Sequence, residues 1–536
     1  MLSSNGDDSQ WNREELGVVK LTDYTSYSDA QKHYSKQALW ELFDGTRERF
    51  NITHECIDRH VNGDNVALRI AHADGRDEII TFADLSRHAS QFAHYLKNRG
   101  IGKDDRVAVM LEPSLGYYSA LFGAIKAGAV AVPMFTLFGP EGIRLRADDC
   151  KPKLMFTNPH KAGDAEAAGN LDVVVVDEAF LASIADLPAT FDWDTAGNDL
   201  AVLQYTSGTT RLLPAAVRHT HRSIVTLMVA ALYATGIRPG DRFYCPSSPA
   251  WGHGLWHGTM APLALGVSTG TYSGKFDPVR LLKALQDFKI TNLTAAATHY
   301  RMMRNSGEAE NFTYAFEKLT FTGEPIDSET AAFCERVFGT KVRSMYGTTE
   351  IGVIISNYPG ADDLEVRDGA MGKAVPGVEV EVQDADGNPA KPGETGELMV
   401  KKSGEWFPTK DLGRVDEDGY FYHGGRADDV IISAGWTIGA VEIEDAILKH
   451  PMVAEAAAIG VPDEVRGQVV KAYVILKGEK TEGLTEEIQD LVRQNLSRHE
   501  YPRQVEFVDA LPKTPAGKVN RKVLRDAIAK SSADAA

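Results

Sequence analysis

Residues 107–133 read VAVMLEPSLGYYSALFGAIKAGAVAVP, and this stretch decides the fold class. Its first five residues form a short apolar run with the length of a buried strand. Residues 114–127 then read as a helix, and 129–133 as a second buried strand. The apolar run over 117–134 is broken by Lys126 and Gly128 and ends near Pro133, so it is helix followed by strand and not a membrane span. Two short buried strands joined by one helix make a βαβ unit. That unit implies a parallel sheet with helices on its faces, and hence an α/β protein.

The pattern extends in both directions. Phe82, Leu85, Ala89, Phe92 and Leu96 recur at helical spacing, and Gly100 stops the run. The strand and helix alternation resumes at 172–176, 223–234, 279–288 and 329–338, with no repeat of fixed period. From about residue 370 the texture changes. Residues 377–383 alternate strictly, 385–388 are turn chemistry and 396–400 read as a strand, so a small antiparallel region is expected to close the large domain. Segments 419–423 and 430–433 flank Gly424 and Gly425, read as a turn. Helices at 441–449 and 485–497, with strands at 453–460, 468–476 and 504–508, complete a small α+β unit. The expected domains are a large layered α/β domain over 1–427 and a small mobile one over 428–536.

The chain has 536 residues, too many for one ordinary core. A formal net charge of −18 argues against a general nucleic-acid or anionic-membrane binder. The four cysteines (Cys56, Cys150, Cys245, Cys334) are far apart and form no CxxC pair, which suits a reducing cytoplasm. The first residues carry no apolar signal-peptide core. Homodimerisation is left open.

Four segments carry chemistry. Thr206, Ser207, Gly208, Thr209 and Thr210 follow a strand at 200–205, and such a turn offers N–H groups and hydroxyls to a polyphosphate. No Gly-Lys-Ser/Thr follows, so the loop is not a Walker A motif. Tyr346, Gly347, Thr348, Thr349 and Glu350 add hydroxyls and a carboxylate able to hold Mg²⁺. Gly425-Arg-Ala-Asp-Asp429 contributes an arginine, and Thr514-Pro-Ala-Gly-Lys518 a lysine on a tight loop. Taken singly, these are also a polar loop, a capping box, a surface hairpin and a basic tail.

In this order, the segments resemble the ATP-dependent adenylate-forming enzymes: acyl-CoA synthetases, peptide-synthetase adenylation domains and firefly luciferase. The resemblance runs from about residue 51 to 525. Residues 51–60, 440–451 and 501–511 look most like acetyl-CoA and medium-chain acyl-CoA synthetases. It implies that Lys518, Glu350 and Thr206 are catalytic, with Glu350 at Mg²⁺. Gly323, Glu324 and Pro325 would lie along the adenine, Tyr346 would be its platform, and the threonines would sit near the α-phosphate. Asp411 would bind the ribose hydroxyls with Arg426 completing the contact. Asp428 would be the pivot of the small domain. Gly435 would leave room in the CoA channel, with Trp436 beside it or at a domain contact.

Two departures stand out. The family's phosphate loop continues into a lysine, where this chain has Arg211 and then apolar residues. Its Thr-Gly-Asp-Leu segment reads Thr409-Lys-Asp-Leu412 here, with Lys410 in place of glycine. The acyl pocket is expected around Trp251, His253, Gly254 and Gly347, His253 being as readily a packed structural residue. Acetate-restricted members place tryptophan at the position of Gly347, so an open floor and a medium-chain or aromatic acid are implied. The implied reaction joins a small carboxylic acid to CoA through an acyl-AMP, using ATP and Mg²⁺. Loading of a carrier-protein thiol, a non-catalytic nucleotide sensor and luciferase-like oxidation are the alternatives, the last without any supporting residue.

Overall fold

Strand Arg106–Met110, helix Leu115–Lys126 and strand Val130–Pro133 form the expected unit, with Val107 paired in parallel to Ala131. Ser114 starts the helix by accepting the Tyr117 N–H at 3.2 Å, a cap worth about 1 kcal/mol. This computed structural model describes residues 20–205, 216–348, 351–384, 386–402, 404–426, 431–433, 436–463, 467–496, 501–513 and 519–534.

The unit sits in a six-stranded sheet. Its order is Val173–Val175, Leu154–Thr157, Arg106–Met110, Val130–Pro133, Leu200–Tyr205 and Ala216–Thr220, parallel until the last pair. A second, 13-stranded sheet has a parallel middle: Val66–His72, Thr269–Ser273, Phe243–Tyr244, Asn292–Ala296, Lys318–Thr322 and Val342–Thr348. Helices on both sheets bury large apolar side chains, and Phe92, Phe122 and Tyr233 are fully enclosed.

The expected antiparallel region is present, and its strands extend the second sheet. Gly352–Ser356 pairs back on Val342–Thr348, and the sheet continues through Ala370–Ala374, Phe421–Arg426, Glu405–Val415, Gly396–Lys402 and Val380–Gln383. The expected turn at Gly424 and Gly425 is instead strand. Leu412 faces Gly425 while Gly413 faces His423, so Gly424 is the extra residue of a β-bulge. Gly425 takes φ +101 there, which explains why the glycines looked like a turn.

The C-terminal part is built on a five-stranded sheet that includes Val453–Asp463, Gly467–Leu476 and Gln504–Phe507. Helices Ala440–Leu448 and Leu484–Asn495 cover it through Ile443, Ile447, Ile488 and Val492. Each such side chain contributes about 1.5–3 kcal/mol by burial.

The segment at 51–60 is structural. Asn51 is fully buried, caps helix Ile52–Cys56 at the Thr53 N–H (2.9 Å), and donates to the Ile125 carbonyl (3.1 Å) and to Thr195 Oγ1 (3.0 Å). No helix among the described residues is long and apolar enough to cross a membrane.

Candidate active site

The carboxyl ends of the parallel strands open onto a cavity of about 1850 Å³. Open α/β sheets bind ligands there because the strand-to-helix loops leave backbone groups unpaired at that edge. A single small ligand fills about 300–1,000 Å³. The cavity therefore has room for a nucleotide and an acid together.

One end is lined by Gly323, Glu324, Pro325, Tyr346, Gly347, Thr348 and Asp411, which sequence alone had gathered from three distant segments. Tyr346 Oη donates to Asp411 Oδ2 at 2.6 Å, and the Tyr346 ring lies 5.8 Å from that of His423. Asp411 is only 5% exposed, and its own N–H donates to Thr409 Oγ1 at 3.1 Å. Across the strand pair it stands in register with Arg426, whose side chain lies outside the described residues. Lys410 takes φ +65, so the glycine-like turn before the aspartate is kept although a lysine occupies it. The Glu324 carboxylate is pinned by the Arg301 guanidinium and by Thr298 Oγ1 (2.7 Å).

Thr348 ends its strand on the cavity wall. Thr349, Glu350, Thr206, Ser207, Gly208, Thr209, Thr210, Arg211, Asp428, Gly435 and Lys518 lie outside the described residues. The residues on either side of 514–518 are described. Lys513 bridges Val519 in antiparallel fashion, and the Asn520 N–H donates to the Pro512 carbonyl at 2.7 Å. Arg521 then grips Glu444 with two hydrogen bonds of 3.0 and 2.6 Å. Val519, Asn520 and Arg521 line the same cavity as Tyr346 and Asp411. Trp436 pairs with Ser433 through its backbone, and its side chain is outside the described set.

Helix Ala440–Leu448 forms another wall. There burial raises the Asp445 carboxyl to about 7, and the nearby carboxylates of Asp327 and Glu444 reinforce the shift against Lys449 and Arg301.

The other end is built on an eight-residue π-helix, His253–Met260. Such helices are rare and recur at functional sites. Trp251, Gly252, His253, Trp256 and His257 line the cavity. His253 is 4% exposed and held on both sides, by Ser247 Oγ and Thr294 Oγ1, each at 3.0 Å. It therefore anchors the helix. Gly254 is buried beneath, where a Cβ would meet the Ser248 and Ser247 carbonyls at 2.2 and 2.3 Å. Gly347 lines the cavity, but a Cβ there would meet the Gly352 carbonyl at 2.0 Å, within its own hairpin.

Sequence reading missed Arg301, His423, Gln204, His219 and His257. The four-residue spacing of His253 and His257 was a usable signal. The other four depend on pairings distant in sequence.

An AMP-binding enzyme family model matches residues 58–405, and an AMP-binding enzyme C-terminal domain model matches 442–518. The acetyl-coenzyme A synthetase of Bacillus subtilis is 30% identical over 93% of this chain and 94% of its own length. An acyl-CoA synthetase from Brucella canis superposes with a TM-score of 0.74 at 31% identity, covering 95% of this chain and all of that one. The anthranilate CoA ligase AuaEII, solved with anthranoyl-AMP, gives a TM-score of 0.83 at 26% identity, covering 91% of this chain and 99% of that one.

Proposed function

The chain belongs to the AMP-binding enzyme family and is an AMP-forming acid–CoA ligase, and from that premise we propose how its own residues divide the work. Asp411 and Tyr346 hold the nucleoside of ATP. The carboxylate accepts from the ribose hydroxyls, and the Tyr346 hydrogen bond at 2.6 Å fixes its orientation. Arg426, opposite Asp411 in the strand pair, supplies a compensating charge. This pairing of Tyr346 with Asp411 on the cavity wall is the observation that carries the reading.

A carboxylate is a poor electrophile, and its activation sets one anion against another. The acid's oxygen attacks the α-phosphorus, the bond to pyrophosphate breaks, and a mixed anhydride with AMP forms. Catalysis of that step comes from charge neutralisation and in-line positioning. Lys518 is the cation assigned to it, and the residues that follow it, Val519 to Arg521, line the cavity. The Thr206–Thr210 loop donates hydrogen bonds to the phosphates, with Arg211 replacing the family's loop lysine. Among the described residues no cluster of three or more His, Cys, Asp or Glu could hold a metal alone. Mg²⁺ at a nucleotide is generally held by phosphate oxygens with one or two carboxylates. Glu350 would hold it, and it would neutralise phosphate charge.

In the second step the CoA thiolate attacks the acyl carbon and AMP leaves. The domains 1–427 and 428–536 turn about Asp428 between the steps, and Gly435 and Trp436 border the thiol's path. A medium-chain or aromatic acid fits the end formed by Trp251 and Trp256; the anthranilate ligase above acts on an aromatic acid. The cysteines Cys56, Cys150, Cys245 and Cys334 are buried free thiols, which agrees with a cytoplasmic site of action.

The test is a panel of carboxylic acids assayed for ATP–pyrophosphate exchange and for CoA thioester. Both activities with a medium-chain or aromatic acid support the reading. Exchange without thioester would favour a carrier-protein loader. Neither activity with any acid would favour a nucleotide sensor.

A further inference from the structure

The Trp256 indole, on the cavity wall, is bonded by Gln204, packed on by His219 and followed in the chain by His257. The indole N–H donates to Gln204 Oε1 at 2.9 Å. An indole nitrogen can only donate, so the other end of this amide is the NH₂ group. That Nε2 is buried, on a side chain 1% exposed, and has no hydrogen-bond partner among the described residues. Gly252 lines the cavity in front of it: a Cβ at 252 would touch the Gln204 amide first, at 3.5–3.9 Å. With no side chain at 252, only that residue's backbone covers the buried amide on this side.

His219 packs on the same indole, ring centroids 4.4 Å apart, and His257 follows it in the π-helix. Both line the cavity, and His219 Nε2 and His257 Nδ1 are buried atoms that also have no partner among the described residues. Burial pushes both imidazoles down to about 4, so they are neutral at physiological pH. Arg218, on the strand of His219, is exposed, where a charge pair is worth little.

An unsubstituted alkyl or phenyl group filling this end would leave three polar nitrogens buried and unsatisfied, which is costly. Among the described residues around this indole, no buried lysine or arginine is placed to meet a second carboxylate. We propose that the enzyme selects acids bearing a neutral oxygen substituent, a hydroxyl or carbonyl, remote from the carboxylate, and that Gln204, His219 and His257 bind that oxygen. This rests on the ligase reading and names its substrate class.

The test is kcat/KM for thioester formation with matched acids: hexanoate against its ω-hydroxy derivative and adipate, and benzoate against para-hydroxybenzoate and terephthalate. In at least one series the hydroxylated acid should exceed both others by about tenfold or more. Gln204→Leu and His257→Phe should each bring that ratio toward one, with thermal melting confirming that each variant folds. Preference for the plain acid or the diacid in both series would overturn the inference while leaving the ligase reading intact. So would a ratio unchanged in both variants. Absence of thioester from every acid would overturn the ligase reading itself, and the inference with it.

Discussion

Tyr346 and Asp411, 65 residues apart, meet through a 2.6 Å hydrogen bond at the wall of the cavity. The contact joins the last parallel strand to the antiparallel part of the same sheet. The continuity of that sheet is therefore what assembles the nucleoside site.

Asp411→Asn should raise the KM for ATP about tenfold or more, because an amide is a poorer acceptor for two hydroxyls than a carboxylate. The effect on kcat with saturating ATP should be smaller. Steady-state kinetics varying ATP check this. An unchanged KM would remove Asp411 from the nucleoside site.

Lys410→Gly should stabilise the protein by about 1 kcal/mol, since the residue sits at φ +65 and only glycine adopts that region without strain. Denaturant melts of the two proteins give the difference. A loss of stability would mean that the lysine side chain contributes more than its backbone costs.

Gly347→Ala should lower turnover of every acid by a similar factor. Its Cβ would meet the Gly352 carbonyl at 2.0 Å and displace the hairpin that carries Tyr346, an overpacking cost of about 1–3 kcal/mol. The expectation from sequence alone was an open pocket floor at this position, which would make substitution selective against large acids. Comparing kcat/KM for short and long acids separates the two outcomes.

Asp445 makes stability depend on pH. Its carboxyl titrates near 7 when folded, well above its ordinary value of 3.8. Between those values the folded state holds a proton that the unfolded state has released, so this group's contribution is full below about pH 4 and is lost as pH rises through 7. Asp445→Asn should flatten the fall in melting temperature over that window. A wild-type and variant pair with parallel pH profiles would contradict it.

Much of the fold was legible because the βαβ pattern is local: apolar runs of strand length and one helix suffice to imply a parallel sheet. The lysine and threonine segments, 514–518 and 206–210, were read only from a residue order that resembles a family motif, and they lie outside the described residues. The bulge at Gly424 was not, since glycine pairs mark turns and bulges alike and only the register with Leu412 and Gly413 distinguishes them. The nitrogens around Trp256 were also invisible. Gln204, His219 and His257 come from two strands and a π-helix, and nothing in their local sequence says that they converge.

The most direct measurement is of the two half-reactions in Lys518→Ala. ATP–pyrophosphate exchange should fall on the order of 10²-fold or more, because the lost cation neutralises the transition state of adenylation. A preformed acyl-adenylate should still yield thioester with CoA at close to the wild-type rate. Near-normal exchange in the variant would contradict the assignment of the lysine and with it the proposed division of labour in the cavity.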